Sequence, residues 1–340
     1  TGTSIGRDDN GGVYVSGSAQ NSSPDITLKK YNSAGSLVWS AGYNGPAGKD
    51  DYAWASVVTG LGATYITGSS VASGSDYDMT TWKYYPSGAL QWVGRYAGPG
   101  CLQSNRTDRG IAACLTEDSG VIVAGKEDTG TPCEAGMVTI KYSPDGTAQW
   151  TAHHAVSGWH AGPADVAADG SGVYVLGYVY NGTAVLLKYG HSGALAWSAT
   201  MSSSHPGAYL GLGEIVLGPD GNAYLCGSES DSLGSGYVVA SIDGAGVERW
   251  RTTLFYEPGF WNYAAAMCIG AEGRLYVTGE RNGDFRTVAL DPGGAVLWES
   301  GFDGGYRDYG TAVAAGMGGV YVAGRVGMPV GGAFGILRYL

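Results

Sequence analysis

Tyr174-Val175-Leu176-Gly177, followed by Lys188-Tyr189 and then by Trp197, is the stretch that decides the fold, because the chain repeats it from end to end. The signature Tyr/Ile-Val/Ile/Leu-x-Gly begins at Tyr14, Tyr65, Ile122, Tyr174, Tyr224, Tyr276 and Tyr321. Trp39, Trp92, Trp150, Trp197, Trp250 and Trp298 each lie eight residues after Tyr31, Tyr84, Tyr142, Tyr189, Ile242 and Leu290. Self-similarity with a period of about 50 residues marks a repeat architecture. Seven signatures give seven units.

Each unit reads as four short strands. A strand of small residues, such as Ala312-Val313-Ala314-Ala315, leads into the signature strand. A third strand follows, and a tight turn such as Asp291-Pro292-Gly293-Gly294 leads to the tryptophan strand. Turns like Pro144-Asp145-Gly146 and Pro219-Asp220-Gly221 supply residues that tolerate left-handed backbone. No segment sustains a 3.6-residue apolar period. With 60 glycines, 24 tyrosines and 10 tryptophans in 340 residues, the composition suits many short strands and turns. The expectation is an all-β chain, a single domain over residues 1–340, built as a seven-bladed β-propeller of four-stranded antiparallel blades. The seventh blade is incomplete: Leu340 follows its third strand directly, and only Thr3 to Arg7 precedes Tyr14. These residues resemble the bacterial and archaeal seven-bladed β-propeller repeat family, whose pattern runs G-x-x-Y-V-x-G, then K-Y, then G-x-x-x-W. That resemblance implies the fold and carries no activity. Ser241-Ile242 and Ala289-Leu290 replace the Lys-Tyr pair in blades 5 and 6, and those blades are expected to pack differently.

Loops in an antiparallel meander alternate between two faces. The third-to-fourth spacing is eight residues in all six complete units. The second-to-third spacing runs from 14 (Tyr276 to Leu290) to 20 (Ile122 to Tyr142), and the stretch from tryptophan to the next signature from 23 to 30. Length variation therefore falls on one face, where repeat proteins carry their binding surfaces. Positions filled alike in most blades serve the fold. The six tryptophans, the basic residues Lys30, Lys83, Lys141, Lys188 and Arg338, and Asp51, Asp108 and Asp308 just before first strands belong to that class. The aspartates are expected to accept backbone N–H groups that place the incoming strand. Residues found in one blade only are the ligand-binding candidates: Trp54, Trp159, His160, Trp261, Tyr263, Arg307 and Tyr309, all in variable-face segments. Aromatic platforms beside polar groups suit sugar rings or a protein partner.

Other chemistry is poorly represented. No catalytic residue, metal site or cofactor is assigned. His153, His154 and His160 cluster in sequence, but a strand sends the first two to opposite faces. The Gly-x-Ser-x-Gly elbow of hydrolases is absent. A net charge of -11 argues against a nucleic-acid partner, and no apolar run is long enough to span a bilayer. Of five cysteines, Cys101 and Cys133 lie in the two longest loops and are expected to form a disulfide, leaving Cys114, Cys226 and Cys268 as free thiols. Three glycosylation sequons also fall in variable loops, and the start at Thr1 points to an upstream segment outside this numbering. Together these give an extracellular or cell-surface location. The functional expectation is a non-catalytic module that binds protein or glycan through the long-loop face, or forms part of a surface assembly through the open edge of blade 7. The alternative is a carbohydrate-active enzyme, a polysaccharide lyase or glycoside hydrolase, with His160, Tyr263, Arg109 or Arg307 in the chemistry.

Overall fold

The computed structural model describes residues 2–20, 24–71, 76–99, 107–128, 135–156, 160–316, 318–328 and 332–340. Among these residues every extended element is an antiparallel β-strand in one of seven sheets, and the only helix is a single turn at Ala271–Gly273. Six sheets have four strands in sequence order and the seventh has three, Tyr309–Gly316, Gly319–Gly327 and Gly332–Tyr339. The fold is a β-propeller with seven blades, the last one three-stranded among the described residues.

The chain divides into two compact units, residues 1–175 with 189–196 and residues 176–188 with 197–340. Blades 1 to 3 lie in the first and blades 5 to 7 in the second. Within the first unit, the first strands Gly2–Arg7, Asp51–Val58, Arg109–Leu115 and Ala161–Asp169 neighbour one another in succession. Within the second, Tyr209–Leu217, Tyr263–Ile269 and Tyr309–Gly316 do the same. Small side chains are required where strands approach edge to edge in this way.

The signature glycine has a specific cause. Opposite it the first strand carries a bulge, for example between Ala53 and Ala55 facing Gly68 and between Gly310 and Ala312 facing Gly324. The bulge turns a carbonyl toward the glycine. A Cβ at Gly68 would lie 1.8 Å from the Tyr52 oxygen, at Gly279 1.9 Å from that of Tyr263, and at Gly324 2.0 Å from that of Tyr309. Glycine is needed here for close backbone approach.

The repeated tryptophans join one blade to the next. The indole N–H groups of Trp39, Trp92, Trp150, Trp197 and Trp250 donate to the carbonyls of Pro86, Pro144, His191, Gly244 and Pro292, at 3.0–3.1 Å. Each ring also covers the positive-φ turn glycine of the following blade, Gly88, Gly146, Gly193, Gly246 or Gly294, where an added methyl would come within 2.7–2.9 Å of the indole. Trp197 and Trp250 keep the turn carbonyl and glycine, but Trp92, Trp150 and Trp298 also meet the third-strand rings of Tyr142, Tyr189 and Tyr339 at 5.6, 6.1 and 5.4 Å. With Ile242 and Leu290 at that position, blades 5 and 6 offer no ring there and pack differently, as expected. In blade 1 the corresponding Gly35 has nothing within 4 Å.

The recurring basic residues also serve the fold. Lys30 pairs with buried Asp8 at 3.1 Å and lies over the Tyr14 ring, and Lys83 lies over Tyr65 while donating to the Pro144 carbonyl at 2.6 Å. Burial pulls the Lys83 amine below its usual value. Burial also pushes the Asp8 carboxyl up, but donors from Gly12, Lys30 and Tyr14 outweigh it and hold the group below its usual value.

Candidate functional site

The site begins with the polar residue at the start of the first strand in blades 2, 3, 6 and 7. In blade 7, Asp308 accepts from the backbone N–H of Gly304 and, at 2.7 Å, from that of Gly327. It thereby ties the incoming loop to the end of the second strand. Asp51 accepts from Gly45 at 2.6 Å, and Asp108 from Gly98 at 2.7 Å and Asp128 at 3.0 Å. Burial raises the Asp51 and Asp108 carboxyls above their usual range. These aspartates do the strand-positioning work expected of them. Blade 6 achieves the same with Asn262, whose amide donates to the Phe255 carbonyl at 2.7 Å and accepts from the Asn282 N–H at 2.8 Å.

With Asn262 and Asp308 anchored in this way, Tyr263 and Tyr309 start their strands side by side, ring centroids 6.5 Å apart. Arg307 stands over Tyr309, its guanidinium carbon 5.9 Å from the ring centre. Its Nε and Nη2 donate to the two oxygens of Glu280 at 2.7 and 2.9 Å. The pairing is asymmetric in burial: the Arg307 side chain is 66% exposed and that of Glu280 5%. A bidentate arginine over a buried carboxylate is held in one orientation, with its outer face toward solvent. Burial, and then the hydrogen bond and charge of Glu280, push the Tyr263 phenol up to about 12. That phenol remains a proton donor at neutral pH.

Tyr263, Tyr306, Arg307, Tyr309, Arg325, Gly327 and Met328 line a half-open cavity of about 390 Å³. It lies at the end of blades 6 and 7 that carries the fourth-to-first and second-to-third connections. Three phenol rings and two guanidinium groups converge there. Arg325 is exposed and makes no ion pair among the described residues. The structure thus gathers three of the sequence candidates, Tyr263, Arg307 and Tyr309. Trp261, two residues before Tyr263, is 60% exposed and does not line the cavity.

The remaining candidates have other surroundings. Trp54 is half-exposed with the Arg109 guanidinium 5.8 Å above its ring. His160 is exposed, and its Nδ1 accepts from the Ala135 N–H at 2.9 Å. Trp159, Cys101 and Cys133 lie outside the described residues. Cys114, Cys226 and Cys268 form no disulfide among the described residues, and burial pushes the Cys114 thiol up to about 12 and that of Cys268 to about 11. Asp284, Asp303 and Asp308 bring carboxylate oxygens within 4.8 Å of one another, but both Asp308 oxygens already accept backbone N–H groups.

Two site residues escaped the sequence reading: Glu280 and Arg325. Both directly follow the signature glycine, at one repeat position in neighbouring blades, where blades 1, 2 and 5 have serine. Comparison of that position across blades is the signal that finds them. The short-turn end of the blades also holds concavities, one of about 420 Å³ lined by Asp118, Lys141, Asp169 and His191 among others.

No protein-family model matches the chain, and no curated protein matches it. Solved structures do. A Lactobacillus plantarum protein is similar at 14% identity and a TM-score of 0.57, over 88% of this chain and 84% of that one. Sqt1 from Chaetomium thermophilum is similar at 10% identity and 0.57, over 95% and 79%. The Dos1 propeller is similar at 10% identity and 0.57, over 95% and 78%. At these identities the likeness concerns the fold alone.

Proposed function

We propose that the chain is a non-catalytic binding module, of the bacterial and archaeal propeller-repeat kind, working at the cell surface or outside the cell. Its ligand site is the tyrosine–arginine cavity of blades 6 and 7, and its ligand class is a glycan bearing carboxylates. The observation that carries the reading is the convergence of Tyr263, Tyr306 and Tyr309 with Arg307 and Arg325 around one half-open cavity. Phenol rings offer flat faces to sugar rings. Guanidinium groups offer paired donors to carboxylates. In a chain of net charge -11, Arg325, which makes no ion pair among the described residues, beside an Arg307 whose charge Glu280 balances, is a local exception that favours an anionic ligand.

The same geometry disfavours catalysis here. A tyrosine acting as general base needs a lowered pKa, whereas Tyr263 is pushed up to about 12 by burial and by Glu280. Arg307 is tethered to Glu280 on two of its donors. The test is calorimetric titration with a uronic-acid oligosaccharide and its neutral counterpart. The acidic sugar should bind and the neutral one bind at least tenfold more weakly. Arg325→Ala, which breaks no ion pair among the described residues, should weaken binding about tenfold. No binding, or equal binding by the Arg325→Ala variant, overturns the assignment. Release of ultraviolet-absorbing unsaturated ends from the sugar would establish a lyase instead.

A further inference from the structure

Six of the seven signatures begin with tyrosine, and the one in blade 3 begins with Ile122. The register is the same: Ile122 faces Lys141 as Tyr14 faces Lys30 and Tyr65 faces Lys83. In blades 1 and 2 the lysine nitrogen lies over the tyrosine ring, 4.8 Å from the centre of Tyr14 and 5.0 Å from that of Tyr65. The phenol finds an acceptor in a turn. Tyr14 donates to Asp8 at 3.1 Å, Tyr224 to Asp220 at 2.7 Å, and Tyr65 to the Ser119 carbonyl of the following blade at 2.6 Å. The ring thus reaches the first turn of the next blade. A Cβ at Gly62 in that turn would stand 2.2 Å from the Tyr14 hydroxyl.

At blade 3 the corresponding space is open. The half-open cavity of about 420 Å³ lies between Ile122 and residues 168–170, in the blade 4 turn that a tyrosine here would meet. Leu115, Ile122 and Val173 give it apolar walls, and Asp118, Lys141 and His191 are polar members of its lining. Asp118 stands four residues before Ile122, as Asp220 stands before Tyr224. Lys141 donates to Asp118 at 3.0 Å, as Lys30 donates to Asp8 at 3.1 Å. The lysine–aspartate pair that brackets a phenol in blade 1 is therefore kept in blade 3, around a position with no ring. A concavity of about 430 Å³ also borders Tyr276, but there the signature ring is in place and forms one wall. Gly270 confirms that placement, since a Cβ on it would come within 2.6 Å of the Tyr276 ring.

We propose that this cavity binds a small neutral phenol, a free one-ring compound, in the place that the signature tyrosine fills in the other blades. The ring packs on Leu115, Ile122 and Val173, with the Lys141 ammonium over its face. Its hydroxyl donates to Asp118, repeating the bonds of Tyr14 to Asp8 and Tyr224 to Asp220. The volume lies in the range of small-molecule pockets, and the apolar walls with a few convergent polar groups have the usual make-up of one. Asp118 is 48% exposed, so the hydroxyl end lies toward solvent. Glu117, Asp118 and Asp169 outnumber Lys141 among the charges of the lining. That balance selects against a ring carrying a carboxylate.

The probe is para-cresol, the tyrosine side chain freed from its backbone, titrated into the full chain and read on the Ile122 and Val173 methyl NMR signals. Saturable shifts of those signals are expected. Toluene, which lacks the hydroxyl, and para-hydroxybenzoate, which adds a carboxylate, should each bind about tenfold more weakly. Ile122→Tyr restores the repeat's own ring; it should abolish para-cresol binding and raise the urea midpoint. Asp118→Ala, at a half-exposed position, should weaken para-cresol about tenfold and leave toluene unchanged, with the parent circular dichroism spectrum. The proposal is overturned by no saturable shift at Ile122, by toluene binding as well as para-cresol, or by undiminished binding to a folded Ile122→Tyr variant. Should that variant not fold, Asp118→Ala decides, and equal para-cresol binding overturns the proposal. No residue of the tyrosine–arginine cavity lines this one, so the sugar titration stands or falls separately.

Discussion

Blades 6 and 7 are neighbours with the same strand order, the same bulge opposite the signature glycine and a polar anchor just ahead of the first strand. They differ in one element, the fourth strand, and consequences run through the whole blade. Blade 6 has a third strand buried from Thr287 to Leu290 and a turn, Pro292 to Gly294, that seats the Trp250 indole. Blade 7 has a third strand that is never fully buried, and the indole facing it, Trp298, packs on Tyr276 and Tyr339 with no hydrogen-bond acceptor among the described residues. A blade's local geometry is therefore set by its first two strands and their bulge. Its burial depends on what covers the third.

The widest gap between the two should appear in the tryptophans. Trp250→Ala removes a ring that fills a glycine-lined seat and donates to the Pro292 carbonyl. It should cost about 3 kcal/mol, in the range for large aromatic truncations. Trp298→Ala should cost at most about half of that, because it loses ring contacts and no hydrogen bond. Urea midpoints followed by circular dichroism decide the matter. Equal losses would mean that the turn contributes little and that ring stacking carries the blade-to-blade joint.

A smaller gap separates the middles of the third strands. Val288 is wholly buried in the core between blades, with Leu275, Val277 and Leu290. Val288→Ala should cost about 2 kcal/mol through lost burial and a residual cavity. Ile336 is mostly exposed, and Ile336→Ala should stay within about 0.5 kcal/mol of the parent. If Ile336→Ala proves as damaging as Val288→Ala, the edge of blade 7 is covered in solution and is no free surface.

Much of this architecture could be read from residue spacing. The eight-residue interval to tryptophan is fixed because the turn must place a carbonyl and a bare glycine under the neighbouring indole. The aspartates ahead of first strands were legible because Asp51, Asp108 and Asp308 recur where N–H groups would otherwise lack acceptors. The site was legible only in part. Arg307 stood out as a residue of a single blade, but Trp54 and His160 did too, and they have different neighbours; Tyr263 and Tyr309, expected to be single-blade residues, share one register position with Tyr52. Uniqueness in sequence marks a residue as free from the repeat's demands without saying what it meets. Glu280 shows the converse. It sits inside a signature strand, looks like ordinary strand sequence, and gains its meaning from an arginine supplied by the loop leading into the next blade.

The smallest difference concerns the two tyrosines that open the site. Tyr263 is half-buried beside Glu280, and burial first, then that carboxylate, push its phenol up to about 12 from an ordinary value of about 10. A folded-state pKa above the unfolded one gives stability that is fully present below about pH 10. It is lost as pH rises through the folded value, because the unfolded chain ionises first. Tyr263→Phe abolishes that contribution, so the variant should lose less stability than the parent between about pH 10 and 12. Solvent screening of a half-exposed ring keeps the effect below about 1 kcal/mol. Tyr309→Phe in blade 7 is the control and should leave the alkaline limb of the stability profile in place. Urea midpoints across that pH range, measured for both variants, read the difference directly. If Tyr309→Phe flattens the limb and Tyr263→Phe does not, Glu280 acts on the other ring, and the order of contacts in the site must be redrawn around Tyr309.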